Sequence, residues 1–422
     1  MSKHLMSLAA ARRAGRPFGI ASVCSAHPIV IRAALRRAAR SDRPVLIEAT
    51  CNQVNQFGGY TGMTPAAFVS FVEEIALDEG VSRDQIIFGG DHLGPNPWRK
   101  EPAEIALKKA SDMVEAYVAA GFGKIHIDAS MGCAGEPTAL DDRTVADRAA
   151  LLCSVAEAAA ARAEMPAPVY ILGTEVPVPG GADHALSTVA PTEREAARET
   201  IAVHRAAFDV AGLGPAFDRV IAFVVQPGVE FGSDNVIAYD PPRAAALSSL
   251  LNDEPALVFE AHSTDYQTEE ALASLVSDGF PILKVGPGLT FAYREALYAL
   301  DLIASDLVPG YGERPLAKAI EALMVQSPAN WSGYYHGDET SLRIQRHFSY
   351  SDRIRYYWTR PEAEAAVTAL LSALEGTRIP ETVLHQYLPQ IDQVNASGPI
   401  DILIAAVDQV LAVYDNATLA VH

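Results

Sequence analysis

The sequence has little of several features that would place it in a narrow structural class. Among 422 residues there are only four cysteines, which are scattered and form no Cys-x-x-Cys pair. We therefore expect reduced, mostly buried thiols in a cytoplasmic protein rather than a disulfide framework. Apolar runs long enough to cross a bilayer, which takes roughly 18 residues, are also missing, so we expect no membrane association.

Positive charge is scarce as well. The chain carries 33 Lys and Arg residues against 52 Asp and Glu residues, which gives a formal net charge of −19. An acidic surface repels the phosphates of nucleic acids and of anionic lipid headgroups. We therefore expect no nucleic acid among the partners.

Short apolar runs rich in Val and Ile are abundant, and Ala-rich segments with helical spacing separate them. The eight runs are FGIASVCS, PVLIEAT, QIIFGGD, KIHIDAS, VYILGTE, RVIAFVV, ALVFEAH and PILKVG. Because they are almost wholly apolar rather than alternating, they are typical of parallel strands that are buried on both faces. The pattern predicts an α/β fold, a TIM (β/α)8 barrel, over residues 1–305. A doubly wound open sheet is the alternative, and no Gly-x-Gly-x-x-Gly follows the first strand to support it.

After about residue 305 the character of the chain changes. A segment that resembles a linker, VPGYGERP, is followed by helical stretches such as EAEAAVTALLSALEG and DILIAAVDQVLAVYD. We expect residues 306–422 to form a small helical C-terminal extension that packs on the barrel.

Polar residues follow nearly every predicted strand. In a barrel these positions meet at the carboxyl-terminal rim, where active sites are built. The residues are Ser25 and His27, Glu48, Asp91 and His92, Asp128 and Ser130, Glu175, Gln226, Glu260 and His262, and Lys284.

Some of these residue types suit a metal site. We expect His92 and His262 to be metal ligands, with Glu230 as an oxygen ligand, in a mixed site suited to Zn²⁺, Mn²⁺, Co²⁺ or Ni²⁺. Such a metal would act as a Lewis acid on a carbonyl or enediolate oxygen. The candidate catalytic carboxylates are Asp91, Glu175 and Glu260. The competing interpretation is that Asp91 and His92 only cap the turn after their strand.

Other residues suit a sugar or a sugar phosphate. Asn52 and Gln53 lie in a polar loop whose side chains suit hydrogen bonds to sugar hydroxyl groups. Gly286 and Gly288 leave backbone N–H groups accessible after the eighth strand, where barrels often bind phosphate. The full set of candidate substrate-binding residues is Ser25, His27, Glu48, Asn52, Gln53, Asp128, Ser130, Gln226, Ser263, Asp265, Lys284, Gly286 and Gly288. A basic run near the C-terminus adds Arg353 or Arg355 as phosphate ligands, although a packing or subunit surface explains that run equally well.

Several long motifs carry a resemblance to a known family. The stretches GGDHLGPNPW, KIHIDASMGCAG, EAHSTDYQT and LKVGPGLTFA resemble the GatZ/KbaZ family, the Z subunit of class II D-tagatose-1,6-bisphosphate aldolase. The resemblance covers essentially the whole chain and implies a TIM barrel similar to the catalytic class II aldolases. It also implies that Asp91 is a proton donor and acceptor, and that His92 and His262 are metal ligands.

One segment departs from the catalytic aldolases. These enzymes supply a further metal-binding His after the sixth strand, where this chain has QPGVEFG, and Glu230 is the nearest substitute. The resemblance therefore implies an accessory subunit that supports a catalytic Y subunit in an oligomeric assembly. The alternative is a stand-alone metal-dependent ketose 4-epimerase or aldolase that acts on a ketose or ketose phosphate. Some family members carry the label tagatose-6-phosphate kinase, but the sequence has no Walker A loop and no protein-kinase signature.

Overall fold

Eight parallel strands close into a barrel in a computed structural model that describes residues 2–41, 43–173, 189–391 and 398–419. The strands are β1 (Ile20–Cys24), β2 (Val45–Thr50), β3 (Ile86–Leu93), β4 (Lys124–Ile127), β5 (Val169–Leu172), β6 (Val220–Val224), β7 (Glu230–Phe231), β8 (Val236–Ile237), β9 (Val258–Ala261) and β10 (Ile282–Val285). The barrel runs β1-β2-β3-β4-β5-β6-β9-β10 and closes from β10 onto β1, while β7 and β8 form a separate antiparallel pair. The predicted barrel is confirmed, and each predicted apolar run overlaps one of its strands.

Two short helices precede β1, and further helices lie between the barrel strands and beyond the last of them. They are α1 (Ser2–Met6), α2 (Leu8–Arg13), α3 (Pro28–Ala38), α4 (Pro65–Glu79), α5 (Ala103–Ala119), α6 (Asp142–Arg162), α7 (Arg194–Val210), α8 (Gly214–Phe217), α9 (Pro241–Ser249), α10 (Glu269–Ser277), α11 (Pro287–Leu307), α12 (Pro315–Gln326), α13 (Glu339–Phe348), α14 (Pro361–Leu374), α15 (Glu381–Tyr387) and α16 (Pro399–Thr418). Among the residues described, no helix is both long enough and apolar enough to cross a bilayer.

The helices after the last strand pack back onto the barrel. Helix α16 lies against α3, α10 and α11, and α14 lies against α11 and α12. The boundary predicted between residues 305 and 306 falls inside the continuous helix α11. This packing brings the C-terminal helices beside the carboxyl ends of β1 and β10, where they can wall a cavity.

The interior of the barrel changes from apolar to charged along the strands. A buried apolar cluster joins Leu5 and Leu8 of the first two helices to Leu46 and Ile87 near the starts of their strands. Because side chains on a strand alternate between faces, positions two and four residues further along also point inward. These positions are Glu48 on β2 and Asp91 near the carboxyl end of β3. The carboxyl-terminal half of the interior therefore holds charged side chains.

Candidate metal and substrate site

Four buried side chains converge inside the carboxyl-terminal half of the barrel. Asp91 on β3, His126 on β4, Glu260 on β9 and His262 directly after β9 each offer a ligand atom within 4.8 Å of the others. The Nδ1 atom of His126 lies 2.9 Å from Asp91 Oδ1, and the Nε2 atom of His262 lies 2.9 Å from Glu260 Oε1. The other nitrogen of each ring, His126 Nε2 and His262 Nδ1, is buried and has no hydrogen-bond partner among the described residues.

This group fits a divalent metal ion. Buried polar atoms normally have a hydrogen-bond partner, so two buried imidazole nitrogens without one are unusual in a protein interior. Two imidazoles and two carboxylates form a mixed nitrogen and oxygen donor set that suits ions such as Zn²⁺, Mn²⁺, Co²⁺ or Ni²⁺. The residues present could therefore hold a metal.

His92 lies beside this group in a strained backbone conformation. Its φ angle is +50°, which is uncommon for a residue other than glycine, and the pairing of β3 with β4 shifts register at this point. The turn breaks the strand alternation, so that Asp91 and His92 both reach the site although they are adjacent. The Nδ1 atom of His92 lies 3.1 Å from Asp128 Oδ2, and its ring centroid lies 5.0 Å from that of His262.

His126 is a residue that the sequence analysis missed. It lies in the middle of the run KIHIDAS, whereas the predicted site residues lie near or after the ends of the apolar runs. The signal was the spacing Lys124, His126 and Asp128, because residues two apart on a strand share a face. His126 adds a third imidazole, 4.9 Å from the ring of His92, and this third ring comes from β4 rather than from the segment after β6.

Asp91 is held as a carboxylate by its neighbours. Burial alone would raise its pKa, but the nearby positive charges of His92 and Lys284 and the hydrogen bond with His126 hold the pKa well below its ordinary value. The Lys284 ammonium forms an ion pair with Asp91 Oδ2. An ionised carboxylate at this position can accept a proton from a bound hydroxyl group.

A buried lysine lies among the acidic residues of the same interior. The Nζ atom of Lys124 is 2.6 Å from Glu48 Oε1 and 2.9 Å from Glu260 Oε2, and all three side chains are fully buried. Burial favours the uncharged amine, but the charges of Glu260 and Glu48 outweigh it and raise the pKa of Lys124. Only glycine fits at position 89 opposite this group, because a Cβ atom there would lie 2.5 Å from Glu48 Oε1.

A cavity of about 510 Å³ borders the group of four at His262 and extends to the C-terminal helices. His92, His262 and Lys284 line its inner end, while Arg355 and residues of α14 and α16 also contribute to its wall. The predicted substrate-binding residues that line it are Ser25, His27, Asn52, Gln53, Ser263, Asp265, Lys284 and Gly286. The cavity has room for a sugar phosphate with polar groups around it.

The remaining predicted residues have other neighbours. Glu48 pairs with Lys124, and Asp128 accepts hydrogen bonds from the Ser130 backbone N–H and hydroxyl. The Gln226 side-chain oxygen accepts from two backbone N–H groups of its own turn. Glu175 lies outside the described residues. These contacts explain the local structure, and the substrate or catalytic roles of these residues stay predictions.

The glycine loop after β10 is already occupied by a side chain. Asp265 Oδ1 accepts hydrogen bonds from the backbone N–H groups of Gly286, at 2.9 Å, and Gly288, at 2.7 Å. These are the N–H groups that the sequence analysis assigned to phosphate. An internal carboxylate takes the place that an anion would need.

Glu230 on β7 does not belong to the converging group of four. Its side chain is only 2% exposed, and its Oε1 atom accepts a hydrogen bond from the Phe231 backbone N–H at 3.0 Å. Burial is the main cause that raises its pKa to about 7 from an ordinary value of 4.5.

The Glu230→Gln variant should remove a pH dependence of stability. Between the ordinary and the folded pKa, the folded state binds more protons than the unfolded state, so the free energy of unfolding falls as the pH rises through this window. From about pH 4 to about pH 8 the wild type should lose about 3 kcal/mol relative to the variant. Urea denaturation of both proteins across this range measures the difference, and parallel pH profiles would contradict it.

The family model of the D-tagatose-1,6-bisphosphate aldolase subunit GatZ/KbaZ-like matches residues 5–419. The chain belongs to the GatZ/KbaZ-like family. The resemblance drawn from the motifs is thereby confirmed over nearly the whole chain.

Two relatives of this GatZ/KbaZ-like chain carry different names. A protein of Agrobacterium fabrum named D-tagatose 6-phosphate 4-epimerase is 68% identical over 420 residues, which are 99% of this chain and 99% of the relative. A crystal structure of a probable tagatose 6-phosphate kinase from Sinorhizobium meliloti 1021 is 57% identical, with a TM-score of 0.87. That match covers 94% of this chain and 100% of the other.

Proposed function

We propose that this chain is a metal-dependent 4-epimerase of a ketose 6-phosphate, with D-tagatose 6-phosphate as the substrate. The observation that carries the proposal is the buried group of Asp91, His126, Glu260 and His262, of which His262 lines a cavity with room for a sugar phosphate. The name of the Agrobacterium relative, which is 68% identical, supports the choice of reaction and substrate.

The reaction needs a base at the 4-hydroxyl group. Removal of that proton lets the bond between C3 and C4 break, which leaves an aldehyde and a three-carbon enediolate. After the aldehyde turns its other face, the same bond forms again, and the proton returns to the new 4-hydroxyl. The base that removes the proton gives it back, so no external acid, oxidant or reductant is required.

The residues of this chain fit those roles. Asp91 is ionised and accepts the 4-hydroxyl proton, while Lys284 beside it holds positive charge near the developing oxyanion. His126, Glu260 and His262 would hold a divalent ion such as Zn²⁺, Mn²⁺, Co²⁺ or Ni²⁺, which supplies Lewis-acid stabilisation of the enediolate charge. The side chains of Asn52 and Gln53 lie on the cavity wall, where they can orient sugar hydroxyl groups.

The direct test is turnover by the purified chain alone. Loaded separately with each of the four metals, it should convert D-tagatose 6-phosphate to D-fructose 6-phosphate without release of triose phosphate. NMR of the sugar phosphates and a coupled triose assay measure the two outcomes. Absence of turnover with every metal would overturn the proposal.

A second candidate is an accessory subunit of D-tagatose-1,6-bisphosphate aldolase. It is favoured by the description of the family model, which names an aldolase subunit. In that case the chain should bind a catalytic Y subunit and stimulate its cleavage of the bisphosphate, while showing no epimerisation alone. Co-purification and a cleavage assay with added catalytic subunit distinguish the two functions. We do not propose the kinase activity in the name of the Sinorhizobium protein, because the sequence has no Walker A loop.

A cytoplasmic location is part of the same proposal. All four cysteines are free and buried, which suits a reducing compartment.

A further inference from the structure

The proposed chemistry leaves one cation of the cavity wall without a role. Arg355 lies in a short 3-10 helix, Arg353–Tyr357, that precedes α14. It lines the same cavity as His92, His262 and Lys284, although it belongs to the helical region after the barrel.

Arg355 is fixed in place but lacks an acidic partner. It donates hydrogen bonds to the backbone oxygens of Ser351 and Asp352 and, at 2.9 Å, to the Tyr356 hydroxyl. Its guanidinium carbon also lies 4.4 Å from the centre of the Tyr356 ring. Over the described ranges of the chain, no carboxylate lies within 4.0 Å of it. An arginine held by neutral groups at a cavity wall keeps its charge for a ligand.

Two acids in this region are engaged with other groups. Asp265 accepts the N–H groups of Gly286 and Gly288, and Asp352 Oδ2 accepts the Thr290 hydroxyl at 2.6 Å. The first of these contacts also fills the glycine loop after β10, which is where barrels commonly bind phosphate. A substrate phosphate therefore needs another cationic partner.

Two tyrosines lie beside Arg355 at the cavity wall. Tyr60, from the loop after β2, packs edge to face on Tyr356 with ring centroids 5.0 Å apart, and both line the cavity with Arg355. This aromatic pair excludes water from one side of the guanidinium and stiffens its position. The Lys284 ammonium already pairs with Asp91, next to the carbon atoms that would react, so Arg355 is the cation left for the other end of the substrate.

We propose that Arg355 binds the 6-phosphate of the ketose and so sets the preference for a phosphorylated substrate. The inference rests on the proposed epimerase function and deepens it. The phosphate would be held by a side chain from the C-terminal helical region, while the sugar end is held by the barrel. Arginine suits this role because its planar fork can donate two parallel hydrogen bonds to phosphate oxygens.

The test compares Arg355→Met with Arg355→Lys and with the control Arg360→Met. Arg360 is exposed and does not line the cavity, so its substitution removes the same charge outside the site. For Arg355→Met, kcat/KM on the ketose 6-phosphate should fall about 100-fold, mainly through KM. Turnover of the free ketose should change less than about threefold, because no phosphate contact is lost. Arg355→Lys should give an intermediate value, and Arg360→Met should match the wild type.

Binding of inorganic phosphate separates this inference from the function itself. Isothermal titration of the metal-loaded wild type should show phosphate binding that Arg355→Met weakens at least about tenfold, whether or not the chain turns over a sugar. Equal loss of activity on free and phosphorylated ketose would overturn the assignment. So would a normal phosphate preference in Arg355→Met, since that result places the phosphate on another group. If Arg355→Met fails to fold, as thermal melting would show, the Arg355→Lys variant decides the case.

Discussion

Replacing Asp91 with asparagine should slow the proposed 4-epimerisation by about 1000-fold or more, because general-base catalysis typically contributes factors of this size. The variant keeps the shape of the side chain and an oxygen that can accept from His126 Nδ1. It loses the negative charge that Lys284 and the histidines stabilise, and with it the ability to take the 4-hydroxyl proton. Steady-state kinetics on D-tagatose 6-phosphate give kcat and KM separately, and the loss should lie in kcat.

A matched control for this variant is Asp112→Asn on the exposed face of α5, which removes one carboxylate outside the candidate site. It should retain full activity. Metal content must be measured for Asp91→Asn, because Asp91 also belongs to the converging group. A variant that is fully metal-loaded and retains more than about a tenth of the activity would exclude Asp91 as the base.

Removing the metal should abolish turnover, and restoring it should bring turnover back. His126, Glu260 and His262 would hold an ion that supplies Lewis-acid stabilisation of charge on the substrate, in addition to the positive charge of Lys284. Dialysis against a chelator, followed by addition of Zn²⁺, Mn²⁺, Co²⁺ or Ni²⁺, measures both steps through activity and through metal analysis. Activity that persists in demonstrably metal-free protein would show that the four-residue group has another purpose.

The His126→Asn variant tests the same centre from the side of the ligands. It should lower metal affinity at least about tenfold, since a ligand nitrogen is lost and the Asp91 carboxylate loses its imidazole partner. His385→Asn, at an exposed position on α15, is the matched control and should bind metal normally. Equal metal content in both variants would place the ion elsewhere.

The sequence predicted the barrel well because its physical signal is local. Each buried strand is an apolar run, and the polar residues after the runs predicted that Asp91, His92, Glu260 and His262 would lie near one another, as they do. His126 was not predicted because it lies in the middle of an apolar run rather than at its end, and a polar residue there points to a site only once the inward face is known. Spacing within KIHIDAS was the one available signal.

Other parts of the site depend on contacts between residues far apart in the chain. The sequence around Gly286 and Gly288 predicts a phosphate-binding loop. In the structure the Asp265 carboxylate accepts hydrogen bonds from the N–H groups of that loop, and only the folded arrangement of β9 and β10 shows this. Phosphate binding by Arg353 or Arg355 was one of two equal interpretations of the basic run near the C-terminus, and a packing or subunit surface was the other. The place of Arg355 at the cavity depends on how the helices after the barrel pack back over the mouth, which no local pattern encodes.

Lys124 gives the barrel a consequence that concerns metal supply. Its ammonium pairs with both Glu48 and Glu260 and offsets one of their two negative charges, so the folded barrel does not depend on an ion alone for positive charge beside those carboxylates. Zinc fingers, in contrast, cannot fold until their metal arrives. We therefore expect this barrel to fold without a metal ion and to bind the ion reversibly afterwards. The identity of an ion bound by this group should then depend on which divalent metals are available in the cell as well as on the preference of the ligands.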